Sequence, residues 1–180
     1  PCPLHPVYVS PLYPNPGPHP RRTLCADSWR ALDKRYVEGF VRAIGVSNFL
    51  EPHLDRILAE GEIVPAVNQI EVHPSFQQAD LTEYSTARGI AIEAYSPLGQ
   101  GQDLHDAVVR GIAETHGVTP AQVVLRWHLQ RGHMVIPKSV AVRRMRPTHD
   151  VFDFSRSNGA GVLITGLRAE RRARLLGKGC

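Results

Sequence analysis

Residues 65–74 read PAVNQIEVHP and residues 89–99 read GIAIEAYSPLG. Val67, Ile70 and Val72 in the first run, and Ile90 and Ile92 in the second, form short apolar series with turn residues at both ends. Runs of this kind suit strands buried on both faces, as in a parallel sheet. The segment between them predicts a helix over about 78–88, closed by Gly89. The whole stretch is therefore a strand, a helix and a second strand. Both strands end in groups placed to meet a ligand: Asn68 and Gln69 late in the first, Tyr95 and Ser96 at the end of the second. Strand ends are where α/β folds keep their chemistry. The alternative is that these groups only satisfy strand-end backbone.

The same alternation extends outward. Upstream, Asp27 or Ser28 can cap a helix to about residue 38, with Trp29, Leu32 and Tyr36 on one face and Gly39 as its stop. A strand is expected over 40–48 (FVRAIGVSN). A helix follows over 51–60, with Leu54, Ile57 and Leu58 inward. The strand of the opening stretch spans 66–72, and its partner 90–95. Downstream come helices over about 104–115 and 120–130, the second introduced by Thr119 as N-cap and Pro120 as first helical residue. Val123, Val124, Trp127 and Leu129 make its buried face, with Trp127 a core residue rather than a site residue. The last strand is expected over 133–136, leading into Pro137, Lys138 and Ser139. Repeated strand–helix units with short links mean a parallel α/β architecture. Spacing does not separate a barrel from an open sheet.

The chain has 180 residues, enough for one core but short of the roughly 250 typical of an enzyme barrel. No run of about 18 apolar residues occurs, which argues against a membrane span. Neither an n-region nor an h-region of a secretory signal opens it. Its three cysteines, Cys2, Cys25 and Cys180, are far apart, which argues against a disulfide framework and fits a reducing cytoplasm. The net charge of +4 is unevenly placed: residues 155–180 carry six basic residues and one acid, so the remainder is close to neutral. A basic tail with Arg168, Arg171, Arg172 and Arg174 but no aromatic residue is a solvated charge run rather than a nucleic-acid surface. Residues 1–24 hold eight of the 15 prolines and no acid, and read as irregular apart from one short strand over 7–10.

Gly99-Gln100-Gly101 lacks the third glycine of a dinucleotide turn and follows a late strand. No Walker loop and no His-Glu-x-x-His helix is present, and the nine histidines are scattered, so no metal site is expected. His73, before Pro74, reads as a turn residue. Four strand ends remain: Ser47-Asn48, Gln69, Tyr95-Ser96, and Lys138-Ser139 with Arg144. In a parallel sheet all four open on one side. Amide and hydroxyl groups beside a flat aromatic and a small basic cluster suit a ring bearing an amide together with a phosphate. A nicotinamide nucleotide has those parts. Arg144 can grip a phosphate as a fork, and Lys138 as a point charge.

VRAIGVSNF (41–49), PAVNQIEVHP, GIAIEAYSPLGQG, TPAQVVLRWHLQRG (119–132) and VIPKS (135–139) resemble the successive signatures of the aldo-keto reductase family. The likeness runs gaplessly from about residue 27 to 139. It implies a (β/α)8 TIM barrel that uses NADPH to reduce aldehydes and ketones, with this chain carrying an incomplete barrel of about strands 4–8. The implied organisation is a Pro-rich segment (1–24), a partial barrel (25–154) and a divergent basic tail (155–180). By position, the resemblance implies that Ser47, Asn48 and Gln69 hold the nicotinamide carboxamide and that Tyr95 stacks on the ring. Ser96 and Leu98 would line the pyrophosphate loop, and Lys138, Ser139 and Arg144 would bind the 2′-phosphate.

Departures shape the expectation of activity. The family's catalytic Asp, Tyr and Lys have no counterpart in this sequence, and Leu12 stands where its His would fall. Pro147 and Thr148 replace the family's adenine-contacting Glu and Asn. The expectation is thus an aldo-keto reductase by descent, present as a truncated chain without catalytic residues, whose small carbonyl substrate would need the completed protein. Binding of nucleotide without turnover, or an interaction role, is the alternative; no nucleic-acid or membrane partner is expected.

Overall fold

The computed structural model describes residues 7–9, 21–137 and 151, with side chains from residue 27 onward. The chain divides into two compact units, Pro1–Ile70 with Ala79–Glu93, and Glu71–Gln78 with Ala94–Cys180.

In the first unit, strand β1 (Val7–Val9) leads to helix α1 (Arg21–Val37), β2 (Ile44–Ser47), α2 (Glu51–Glu60), β3 (Val67–Glu71), α3 (Ala79–Thr86) and the start of β4 (Ala91–Tyr95). β1 and β2 pair in parallel, with Val7 opposite Ile44. β2 and β3 also pair in parallel, with Ser47 opposite Gln69. The Ala91 N–H donates to the Ala66 carbonyl at 3.1 Å and sets the β4 end beside β3. All four residues of β2 are buried, as a strand covered on both faces requires. The core gathers Ile44, Val46, Leu54, Ile57, Ile70 and Ile92. Trp29 is buried against the end of α2, where a Cβ on Gly61 would come within 2.6 Å of the indole. Asp33 accepts the Glu62 N–H at 3.0 Å and ties α1 to the same turn.

In the second unit, the end of β4 passes into two 3-10 turns, Gly99–Gly101 and Asp103–His105. α4 (Ala107–His116), α5 (Pro120–Gln130) and β5 (Met134–Val135) follow. Asp106 caps α4, its carboxylate accepting the N–H groups of Val108 and Val109 at 2.8 and 3.4 Å. Thr119 and Gln122 form a reciprocal capping box at the start of α5. α4 and α5 pack on each other through Val109, Ile112 and Ala113 on one side and the buried face of α5 on the other. The Ile136 N–H donates to the Ala94 carbonyl at 3.4 Å, which brings β5 beside β4.

Several sequence expectations need correction. α1 begins at Arg21 rather than near Asp27. Residues 21–24 are therefore helical, not irregular. Tyr36 is 39% exposed, and the inward face of α1 is Trp29, Leu32 and Asp33. The strand expected over 40–48 is only Ile44–Ser47, since Phe40 is exposed and residues 38–40 complete the turn out of α1. The helix expected over 104–115 is a 3-10 turn followed by α4, divided where Asp106 turns out of helical geometry to cap. Leu129 is only half-buried, while Leu125 and His128 are fully buried beside Trp127. β1, α2, β3, α3, β4 and α5 fall within two residues of their expected limits.

Candidate functional site

The end of β2 meets the end of β3 through the parallel register. Ser47 lies opposite Gln69, and the Asn48 N–H donates to the Gln69 carbonyl at 2.9 Å. Asn48 then takes a left-handed conformation, φ 60°, which Asn tolerates better than most residues. That turn carries its side chain back over its neighbour, so that Nδ2 donates to Ser47 Oγ at 3.1 Å. Asn68, fully buried, holds the following residue in place. Its Nδ2 donates to the Phe49 carbonyl at 2.8 Å, and its Oδ1 accepts the Phe49 N–H at 3.4 Å. Gln69 Nε2 donates to Glu93 Oε1 at 3.1 Å. The first unit thus brings Ser47, Asn48 and Gln69 together, with Glu93 bonded to Gln69 and Asn68 bonded to the Phe49 backbone.

In the second unit the exit of β4 is equally constrained. Ser96 is left-handed at φ 47°, a conformation unusual for a non-glycine residue and one that concentrates at functional sites. Its carbonyl accepts the Gly99 N–H at 2.9 Å, and the Leu98 carbonyl accepts the Gly101 N–H at 2.9 Å. Tyr95, Ser96 and Leu98 are half-buried around buried Pro97.

Two polar clusters adjoin this loop. His128 Nε2 sits 3.0 Å from the Pro97 carbonyl, and its Nδ1 sits 3.2 Å from His133 Nδ1. A carbonyl only accepts, so His128 donates from Nε2; its neutral Nδ1 then accepts the Nδ1–H of His133. Burial pushes the His128 imidazole down to about 3, against the opposing pull of the Pro97 carbonyl, with His133 lowering it further. Burial and the Arg131 charge bring His133 down to about 4. Both rings are neutral at physiological pH. The second cluster joins Asp103 to His73 Nδ1 at 2.8 Å and to the Ser75 hydroxyl, which donates at 2.6 Å. Burial works to raise the Asp103 carboxyl, but the His73 and Ser75 hydrogen bonds outweigh it and hold the group below its usual range. His73 is a turn residue, bridged to Phe76, and it is also a buried partner of Asp103.

Lys138, Ser139, Arg144 and Leu12 lie outside the described residues. The sequence reading did not single out Glu93, His128 or Asp103. Glu93 follows buried Ile92 in β4, and that alternation was the one local sign that it leaves the core face.

The description of the aldo/keto reductase family matches residues 7–158. The chain belongs to the aldo/keto reductase family. It is 47% identical over 161 residues to an aldo-keto reductase of Mycolicibacterium smegmatis, covering 89% of this chain and 58% of that protein. Identity to the glyoxal reductase of Bacillus subtilis is 47% over 146 residues, covering 81% of this chain and 53% of that one. Among solved structures, a mutant of Gox0644 in complex with NADPH superposes with a TM-score of 0.84 at 40% identity, over 93% of this chain and 60% of that one. The chain spans somewhat more than half the length of these relatives. The fold is that of the family's (β/α)8 barrel, of which the described strands and helices form a part.

Proposed function

We propose that this chain carries the nicotinamide- and phosphate-holding part of an NADPH-dependent reductase of small aldehydes and ketones. The observation that carries the reading is the grouping of Ser47, Asn48 and Gln69, made by strand register and by the left-handed turn at Asn48. A hydroxyl and two side-chain amides supply the donors and acceptors that a ring carboxamide needs. By the family resemblance, Tyr95 would stack on the ring and Ser96 and Leu98 would line the pyrophosphate loop. Lys138 and Arg144, which follow β5 in sequence, would supply the charge for a 2′-phosphate and Ser139 a hydroxyl. Bound there, NADPH supplies the hydride; the side chains bind it and hold it in one orientation. The likeness to a glyoxal reductase and to a methylglyoxal reductase of Yersinia pestis supports small carbonyl compounds as substrates.

Among the described residues we assign none to the role of the family's proton-donating Tyr or of the Lys–Asp pair that lowers its pKa. Assayed by itself, the 180-residue chain is expected to bind NADPH without reducing glyoxal. Titration of NADPH against tryptophan fluorescence is the test. Saturable binding, weakened about tenfold or more when Arg144→Ala removes a charge-assisted contact, supports the reading. Absence of binding at millimolar NADPH, or equal affinity for NADPH and NADH, overturns it.

A further inference from the structure

Glu93 borders this site. It sits 24 residues from Gln69 in sequence and meets it across β3 and β4, with Gln69 Nε2 donating to Glu93 Oε1 at 3.1 Å. An amide side chain can present either end to a ligand, because its NH2 and its oxygen are nearly interchangeable in shape. A carboxylate is not so free, since it offers acceptors alone. Facing Glu93, Gln69 must turn its NH2 inward, and the other orientation would set two acceptors against each other. The amide oxygen is then the end left for a ligand, and among the described residues Oε1 accepts no hydrogen bond.

The geometry points to Glu93 as a positioning residue that fixes the Gln69 amide and makes the site selective for a nicotinamide ring over a nicotinic acid ring. The inference rests on the nucleotide reading above. A ring carboxamide has an N–H to give to Gln69 Oε1. A ring carboxylate has none, so it would set its oxygens against an acceptor. The neighbour that orients the amide therefore disfavours the wrong ligand.

NADP+ and nicotinic acid adenine dinucleotide phosphate differ only in that ring substituent and make a matched pair of probes. Dissociation constants of both are measured by calorimetry on the 180-residue chain and on Glu93→Gln, with thermal melts to show that each is folded. The unmodified chain is expected to prefer NADP+ by about tenfold or more. In Glu93→Gln the preference should fall to about threefold or less, mainly because the acid dinucleotide binds better. A general loosening of the fold would weaken both ligands together and leave their ratio in place. Where Glu93→Gln does not fold, Gln69→Ala serves instead, and it too should erase the preference. An unmodified chain that binds both dinucleotides equally, or a variant whose ratio is unchanged, overturns the inference alone. A chain that binds neither dinucleotide overturns the nucleotide reading with it.

Discussion

Asn68 and Gly99 each perform a task that no other residue type fits. Both ends of the Asn68 amide are used on the Phe49 backbone, in a fully buried position. Replacing Asn68 with Ala strands a buried N–H and a buried carbonyl, so Asn68→Ala should destabilise the chain by about 1–3 kcal/mol in urea unfolding. Gly99 is at φ 58°, and a Cβ there would lie 2.6 Å from Asp103 Oδ2 and 3.0 Å from His73 Nδ1. Gly99→Ala therefore carries both backbone strain and a clash with the Asp103–His73 pair. About 1–3 kcal/mol of stability should be lost, and the turn bearing Leu98 should be displaced. A Gly99→Ala chain as stable as the parent would show that this pair yields freely.

At the scale of elements, local chemistry sets most boundaries. Thr119 accepts the Gln122 N–H and Gln122 Oε1 accepts the Thr119 N–H, so α5 starts where it does for reasons contained in four residues. Thr119→Ala should cost about 1 kcal/mol, read as a lowered denaturation midpoint, and Thr119→Ser should restore most of it. This kind of information is legible in a sequence because capping and burial periodicity act over a few residues, and the strand–helix alternation followed from it. What was not legible is where an element stops for tertiary reasons. Tyr36 has the spacing of a buried residue, yet α1 turns Asp33 inward to accept the Glu62 N–H, and Tyr36 stays exposed. In the site, Ser47, Asn48 and Gln69 could be named from sequence. Their support by Asn68 and Glu93 could not be, because it depends on strand register.

At the scale of the molecule, the buried His128 and His133 give stability a defined pH dependence. Both take up a proton near 6.5 when unfolded, but only near 3 and 4 when folded. Between those limits the unfolded chain binds more protons, so stability is complete above about pH 6.5 and declines as pH falls. The slope approaches about 1.4 kcal/mol per pH unit for each ring. Urea unfolding between pH 7 and 5 checks this, and His133→Asn should flatten the decline. A parent chain equally stable at both values would mean that the rings are solvated. The sequence by itself determined the α/β class, the order of most elements, the family and the polar residues at the strand ends. The class, the order and the strand-end residues rest on periodicity and turn residues, which are local, and the family rests on the resemblance of the quoted motifs. Tertiary structure alone decided that Glu93 fixes Gln69, that His128 holds Pro97 and that Asp103 excludes any side chain at Gly99. Those contacts join residues 4 to 31 positions apart, and only the placing of β4 beside β3 and the packing of α5 bring the distant ones within hydrogen-bond reach.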